Sequence, residues 1–498
     1  MDAPRLRIRA VELFERPVRF VKPFRFGAVT VDEAPQAFVR TLVAVEGGGE
    51  AWGCTAEMMM PRWFDKRPQR SPAQTVDGLR RSLVLAREAY LAVARPATAF
   101  ALHAEAREGQ EAACLAAGET RLTAAYGPAQ IDKAVLDGLL RAVGVDFFTG
   151  MAANIAGIDA RLTPDLAGFD LDGFLRGLRP LEAVSLRHTV GLLDDPEELR
   201  ALVGAGPLPN PPPLRGGGNS AAPAADPLSR EAGEGWGGGN RLRHFKIKLG
   251  GDPAADIARL RAVAAVLDAM PGGYRATLDG NEQYSDTAAL GAFLDAMEAA
   301  PDLAAFRRNL LYVEQPIARE RVPDEPLGPL GARHTVIIDE SDDSYAAFPQ
   351  ARAVGYRGVS SKSCKGLYKA VLNAARCAAW NGDGSRHIIA AEDLTCQAGL
   401  SVQQDTALVA LLGIGHAERN GHQYAGGFAG APDAEAEDFF RTHPGFYTRG
   451  GGHVRLKVDG GALPTAPLRV PGFAHAAEPR WDSLPPLAIP AVIEESVP

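Results

Sequence analysis

From about residue 183 onward the sequence repeats one unit: a short apolar run, then a helical or polar connection. The runs fall at 184–190, 243–249, 276–279, 310–314, 335–339, 358–362, 387–391 and between 411 and 418. Strands that alternate with helices must lie parallel, because each helix carries the chain back to the start of the next strand. Eight such units are what a closed (β/α) barrel needs, so the fold class expected is α/β, with the barrel over 180–430.

The flanks have another texture. Residues 5–14 and 37–46 have strand patterns, a third strand lies near 51–53, and an aromatic loop is expected at 23–28. Helical stripes follow at 76–94 and at 128–143, the second with Pro128 placed at its start. Residues 1–170 therefore form an N-terminal α+β domain. The last 60 or so residues return to a β texture and are expected to pack back on it, completing that domain over roughly 430–498. Met58-Met59-Met60-Pro61-Arg62-Trp63-Phe64 is an apolar cluster in an expected loop. It suits either a buried loop or an adaptable lid over a pocket.

One segment stands apart. Of the 37 residues 204–240, 17 are Gly or Pro, a composition that cannot bury enough apolar area to offset ordering. It is expected to be a disordered insertion on the face opposite the strand C-termini, and deleting it is expected to leave activity intact.

Bulk properties narrow the class. A net charge of -8 with no basic stripe argues against nucleic acid as a partner. No run of 18 apolar residues and no secretory h-region occurs, so no membrane association and a cytoplasmic location are expected. The five cysteines are scattered, without a C-x-x-C pair, so neither a disulfide framework nor a zinc site is suggested. H-x-H and H-E-x-x-H are absent, which disfavours a zinc hydrolase.

The strand ends carry the chemistry. On 243–249, His244, Lys246 and Lys248 share one face and Phe245, Ile247 and Leu249 the other. Alone, that pattern suits an exposed edge strand with solvated lysines. The next strands, however, end in Asp279 (with Asn281 just beyond), Glu314, Asp339 with Glu340, and Lys362 with Lys365. Any single acid there would more often cap the following helix. Five such positions on successive strands converge on one barrel rim. Converging carboxylates need a cation among them, and three oxygen donors with open positions suit Mg2+. Lysines near that ion are expected to have depressed pKa values and to act as bases. The chemistry implied is removal of a proton next to a substrate carboxylate, with the metal stabilising the enediolate. Glu392, after the seventh strand, is a further rim candidate.

K-x-K, D-x-N, E-Q-P, D-E-S and a lysine ending the sixth strand resemble the enolase superfamily, specifically its muconate-lactonizing-enzyme-like subgroup of the mandelate racemase/muconate lactonizing enzyme family. The resemblance covers nearly the whole chain apart from 204–240. It implies a modified TIM barrel under a capping domain whose segments 19–28 and 54–64 are lids. It implies Asp279, Glu314 and Asp339 as metal ligands, Lys248 and Lys362 as acid/base lysines, and Lys246 as the residue that tunes its neighbour. Asn281, Glu340, Lys365 and Glu392 are possible supporting residues. The resemblance further implies a small carboxylate substrate and a homo-oligomer. Racemisation or epimerisation, syn-dehydration and cycloisomerisation all use these parts. Dipeptide epimerases of the family carry D-x-D on the eighth strand, and the region 415–423 lacks it. The alternative is a catalytically silent homologue that binds only a metal or an acid.

Overall fold

The computed structural model describes residues 3–26, 29–204, 242–450 and 452–489. The expected insertion at 204–240 lies outside the described residues except for Gly204. The N-terminal part opens on an antiparallel sheet, β1 (Leu6–Phe26), β2 (Val29–Val45) and β3 (Glu50–Met58), in that order. The strands run well beyond the expected spans, and residues 23–26 are strand rather than loop. Pro23 is tolerated because the β1–β2 register shifts between Arg19 and Phe24, so no ladder hydrogen bond is asked of its missing N–H. Much of each expected lid is thus strand: the long arm of a hairpin and the end of β3.

Three long helices, Pro72–Ala92, Ala99–Ala116 and Arg121–Val143, cover the sheet. The first begins earlier than its apolar stripe, because Ser71 and Gln74 close a capping box around Pro72. The third begins at Arg121, so Pro128 sits inside it rather than at its start. A proline there strips the Ala124 carbonyl of its helical donor. Ser82 Oγ and Gln110 Nε2 each donate to that oxygen at 3.0 Å, so the helix continues. The same helix meets β3 backbone to backbone: a Cβ on Gly53 would fall 2.0 Å from the Gly138 nitrogen.

The barrel strands are β4 (Ala183–Val190), β5 (His244–Lys248), β6 (Arg275–Asp279), β7 (Leu310–Glu314), β8 (Val336–Ile338), β9 (Gly358–Ser361), β10 (Ile388–Ala391) and β11 (His416–Glu418). They pair in sequence order, all parallel, and β11 pairs with β4, which closes the barrel. This is the expected α/β class, a closed eight-stranded parallel barrel with an N-terminal domain of antiparallel strands. Closure removes every edge, so the exposed-edge alternative for β5 does not hold. Beyond the barrel come a ribbon of β12 (Tyr447–Gly450) with β13 (His453–Leu456), and β14 (Ala462–Pro464), which pairs antiparallel to β4. The chain then returns to the N-terminal layer, where Phe473 stacks on Phe147 at 4.1 Å and the Leu487 N–H reaches Leu13 O. Among the described residues no helix is long and apolar enough to cross a membrane.

Candidate active site at the barrel mouth

Strand register builds the site. Lys248 is the ladder partner of Asp279, and Asp279 of Glu314. In-register residues of a parallel sheet point the same way, so β5, β6 and β7 raise these three side chains together into the barrel. Asp339 follows β8 directly and Lys362 follows β9. Phe245 and Ile247 point the other way and are buried on the opposite face. Asp279, Glu314 and Asp339 are fully buried.

Lys246 lies lower than Lys248, ringed by carboxylates: Asp279 Oδ2 at 2.8 Å, Glu314 Oε2 at 2.9 Å, Glu392 Oε2 at 2.7 Å and Glu418 Oε2 at 3.2 Å. Burial pushes its ammonium down, but these four charges hold it well above the ordinary lysine value. Lys248 donates to Asp279 Oδ2 at 2.6 Å and to Asn281 Oδ1 at 2.7 Å. Lys362 Nζ stands 2.6 Å from Asp339 Oδ2 and 4.1 Å from the centre of the Trp63 ring. Burial lowers its pKa too, and Asp339 more than offsets that. The carboxylates alone thus drive Lys246 and Lys362 upward, opposite to the direction expected beside a bound cation.

The other candidates stand outside this circle. Lys365 sits behind Asp339, donating to its Oδ1 at 3.0 Å, to its carbonyl at 2.9 Å and to Ser360 Oγ at 3.0 Å. Glu340 is buried on the lid side, 3.5 Å from Lys66 and 3.4 Å from Asn281 Nδ2. Glu392 follows β10 and turns in to Lys246 at 2.7 Å, where Tyr312 donates to it at 3.0 Å and Arg187 pairs with it. Asn281 has a left-handed backbone (φ 41°), which aims its side chain at Lys248.

Sequence reasoning missed four groups. Glu418 ends the last strand, the same signal that identified the other acids. Arg187 sits in mid-strand, and Asn420 two residues past a strand, where nothing marks them. Asp393 follows Glu392 directly. Phe24, Met60 and Trp63 come from the N-terminal layer and line the same cleft as Lys246, Lys248 and Lys362. The lid segment is fastened by Arg319, which pairs with Glu282 through two 2.8 Å contacts and donates to the carbonyls of Trp63 (3.0 Å) and Phe64 (3.2 Å).

The donor set fits a hard divalent cation. Three neighbouring strand ends each supply a fully buried carboxylate. Glu314 Oε2 and Asp339 Oδ2 lie near lysine ammonium groups, yet neither accepts a hydrogen bond of sound geometry. Burial and the neighbouring Asp279 and Glu392 charges push the Glu314 carboxyl well above its ordinary range, so this site lacks positive charge at Glu314.

Residues 228–443 match the family described as enolase C-terminal domain-like. No curated protein matches the chain. Solved structures share its fold over nearly their whole length. One is a dipeptide epimerase from Cytophaga hutchinsonii, complexed with Mg and D-Ala-L-Val (12% identity, 96% of this chain and 98% of that one, TM-score 0.55). Another is a mandelate racemase/muconate lactonizing protein from Herpetosiphon aurantiacus (17% identity, 95% and 99%, TM-score 0.54). A third is an enolase superfamily member from Roseovarius nubinhibens ISM, complexed with magnesium (17% identity, 95% and 96%, TM-score 0.53).

Proposed function

From a barrel whose residues 228–443 match the enolase C-terminal domain-like family, we propose that this protein removes the proton next to the carboxylate of a small substrate, in a magnesium-dependent reaction. One observation carries the reading. β5 and β9 lie four strands apart in a closed ring of eight, so Lys248 and Lys362 stand on opposite sides of the mouth. The arc between them holds Asp279, Glu314 and Asp339, and both lysines line one cleft.

Asp279, Glu314 and Asp339 would hold Mg2+, which would supply positive charge where the substrate carboxylate gains negative charge. Lys248 is held by Asp279 and Asn281 so that its nitrogen faces the cleft and takes the proton from carbon. Lys362, fixed by Asp339 under the Trp63 ring, faces the other side of the substrate and delivers or receives a proton there. Lys246 neutralises the acids around it and holds them in place. The lid residues Met60 and Trp63 close the mouth and exclude water. Epimerisation, syn-dehydration and cycloisomerisation all begin with this abstraction.

The test is exchange of the carbon-bound proton with deuterium, followed by NMR on carboxylates selected from acid sugars and N-acyl amino acids. Exchange is expected to need Mg2+, to stop with EDTA, and to be abolished in Lys248→Ala. Undiminished exchange in Lys248→Ala would refute the assignment, and no exchange with any carboxylate would favour a silent, ligand-binding homologue.

A further inference from the structure

The cleft wall opposite the metal ligands constrains the substrate. Asn420 lines it and is buried. Its Nδ2 donates to Glu418 Oε1 at 2.9 Å. Glu418 also accepts from Lys246, from Thr189 Oγ1 and from the Asp393 N–H, so its carboxylate is an acceptor on every side. That fixes the amide orientation, with nitrogen toward Glu418 and oxygen away from it. Asn420 Oδ1 has no hydrogen-bond partner among the described residues. A buried acceptor without a donor costs about 1–3 kcal/mol, so a ligand that brings one N–H or O–H relieves it.

The rest of the outer wall offers little to a polar ligand. Phe24, Met60, Trp63 and Leu394 present apolar surface, and Thr395 adds a single hydroxyl. Asp393 adds a carboxyl already engaged by the Cys396 and Gly421 N–H groups. The three lysines of the cleft are committed to carboxylates. A second substrate carboxylate would meet Asp393 and Glu418, and a row of hydroxyls would find Thr395 and Asn420 as partners for at most a few of its groups, the rest lying against carbon.

We propose that the substrate is a monocarboxylate with one neutral hydrogen-bond donor near the reacting carbon and an otherwise apolar body, and that Asn420 Oδ1 receives that donor. This rests on the proton-abstraction reading for where the carboxylate sits. The same wall disfavours the polyhydroxylated acid sugars.

Binding can be read separately from turnover, by quenching of tryptophan fluorescence in the presence of Mg2+. Three probes separate the features: N-acetyl-L-phenylalanine (donor and apolar body), 3-phenylpropionate (apolar body alone) and D-gluconate (a polyol). N-acetyl-L-phenylalanine is expected to bind about tenfold tighter than 3-phenylpropionate, and both tighter than gluconate. In Asn420→Ala the first difference should collapse to within about twofold while 3-phenylpropionate binds as before. A variant that fails to fold would lose all three probes together, so unchanged binding of 3-phenylpropionate by Asn420→Ala shows that the site itself is intact. Equal or tighter binding of gluconate overturns the inference, as do an unchanged preference in Asn420→Ala and failure of all three probes to bind wild type. None of these results touches the exchange experiment, which alone decides whether a proton is removed.

Discussion

Two buried polar clusters, both rich in charge, behave in opposite ways. One joins the N-terminal layer to the returning C-terminal segment. There Asp137 accepts from the Cys54 N–H (2.8 Å), the Phe473 N–H (2.6 Å), His475 Nε2 (2.9 Å) and Arg141 Nε (3.0 Å). Burial pushes its carboxyl up, but His475, Arg141 and the Phe473 N–H hold it at about 2. Cys54, Asp137 and His475 stand close enough to hold an ion. Arg141 already supplies the positive charge, and burial with the Asp137 charge keeps the Cys54 thiol protonated. The other cluster is the barrel mouth, where Glu314 Oε2, Asp339 Oδ2, Glu340 Oε2 and Asn420 Oδ1 accept no hydrogen bond. A satisfied cluster clamps a fold, whereas oxygens left waiting mark a place where a ligand completes the set.

Breaking the mouth should cost activity and spare stability. Glu314→Gln keeps the shape and removes one of the crowded charges. We expect a fall of about 10³-fold in proton exchange and a loss of Mg2+ affinity by calorimetry. The metal-free protein should melt about 1–3 °C higher than wild type, because a buried charge with like neighbours has gone. A lower melting temperature would mean that the mouth is held together like the clamp.

Breaking the clamp should do the reverse. Asp137→Ala leaves the Cys54 and Phe473 N–H groups buried without their acceptor and Arg141 without its counter-charge, at a cost of roughly 3–5 kcal/mol. The folded fraction should exchange substrate protons at the wild-type rate. pH sharpens the contrast. The folded Asp137 carboxyl lies at about 2, below its unfolded value, so its stabilisation is full above the unfolded pKa and disappears as pH falls through about 2. Urea midpoints should therefore fall more steeply between about pH 4 and pH 2 in wild type than in Asp137→Asn.

The two clusters were unequally legible. Asp279, Glu314, Asp339 and Lys362 could be read from sequence because each follows a short apolar run, and parallel register turns that position into a shared rim. The clamp could not, since Asp137 is one acid inside a long helix and meets His475 only after 338 residues. Within the mouth, Arg187 stayed hidden because a charge in mid-strand looks like an interruption, yet it pairs with Glu392 beside Lys246. Asn420 was invisible because its importance lies in an oxygen that nothing touches, which only coordinates reveal. The aromatic stretch at 23–26 was mistaken for a loop because proline and aromatics there suggested a turn, whereas a register shift absorbs Pro23.

Pro128 was misplaced for a related reason: its local rule is a helix start, and a distant group overrides it. This is the clamp's logic at its smallest scale, a lone carbonyl satisfied from other helices. Ser82→Ala removes one of the two donors to Ala124 O and the acceptor of the Gly127 N–H, which lies 2.9 Å from Ser82 Oγ. We expect about 1 kcal/mol of destabilisation in urea unfolding at constant m, with Mg2+ affinity unchanged. Pro128→Ala returns a helical N–H to the same carbonyl. In that background the cost of Ser82→Ala should shrink by roughly 0.5 kcal/mol or more, a coupling that a double-mutant cycle isolates. Strict additivity would mean that the two side chains do not stand in for the donor that Pro128 lacks.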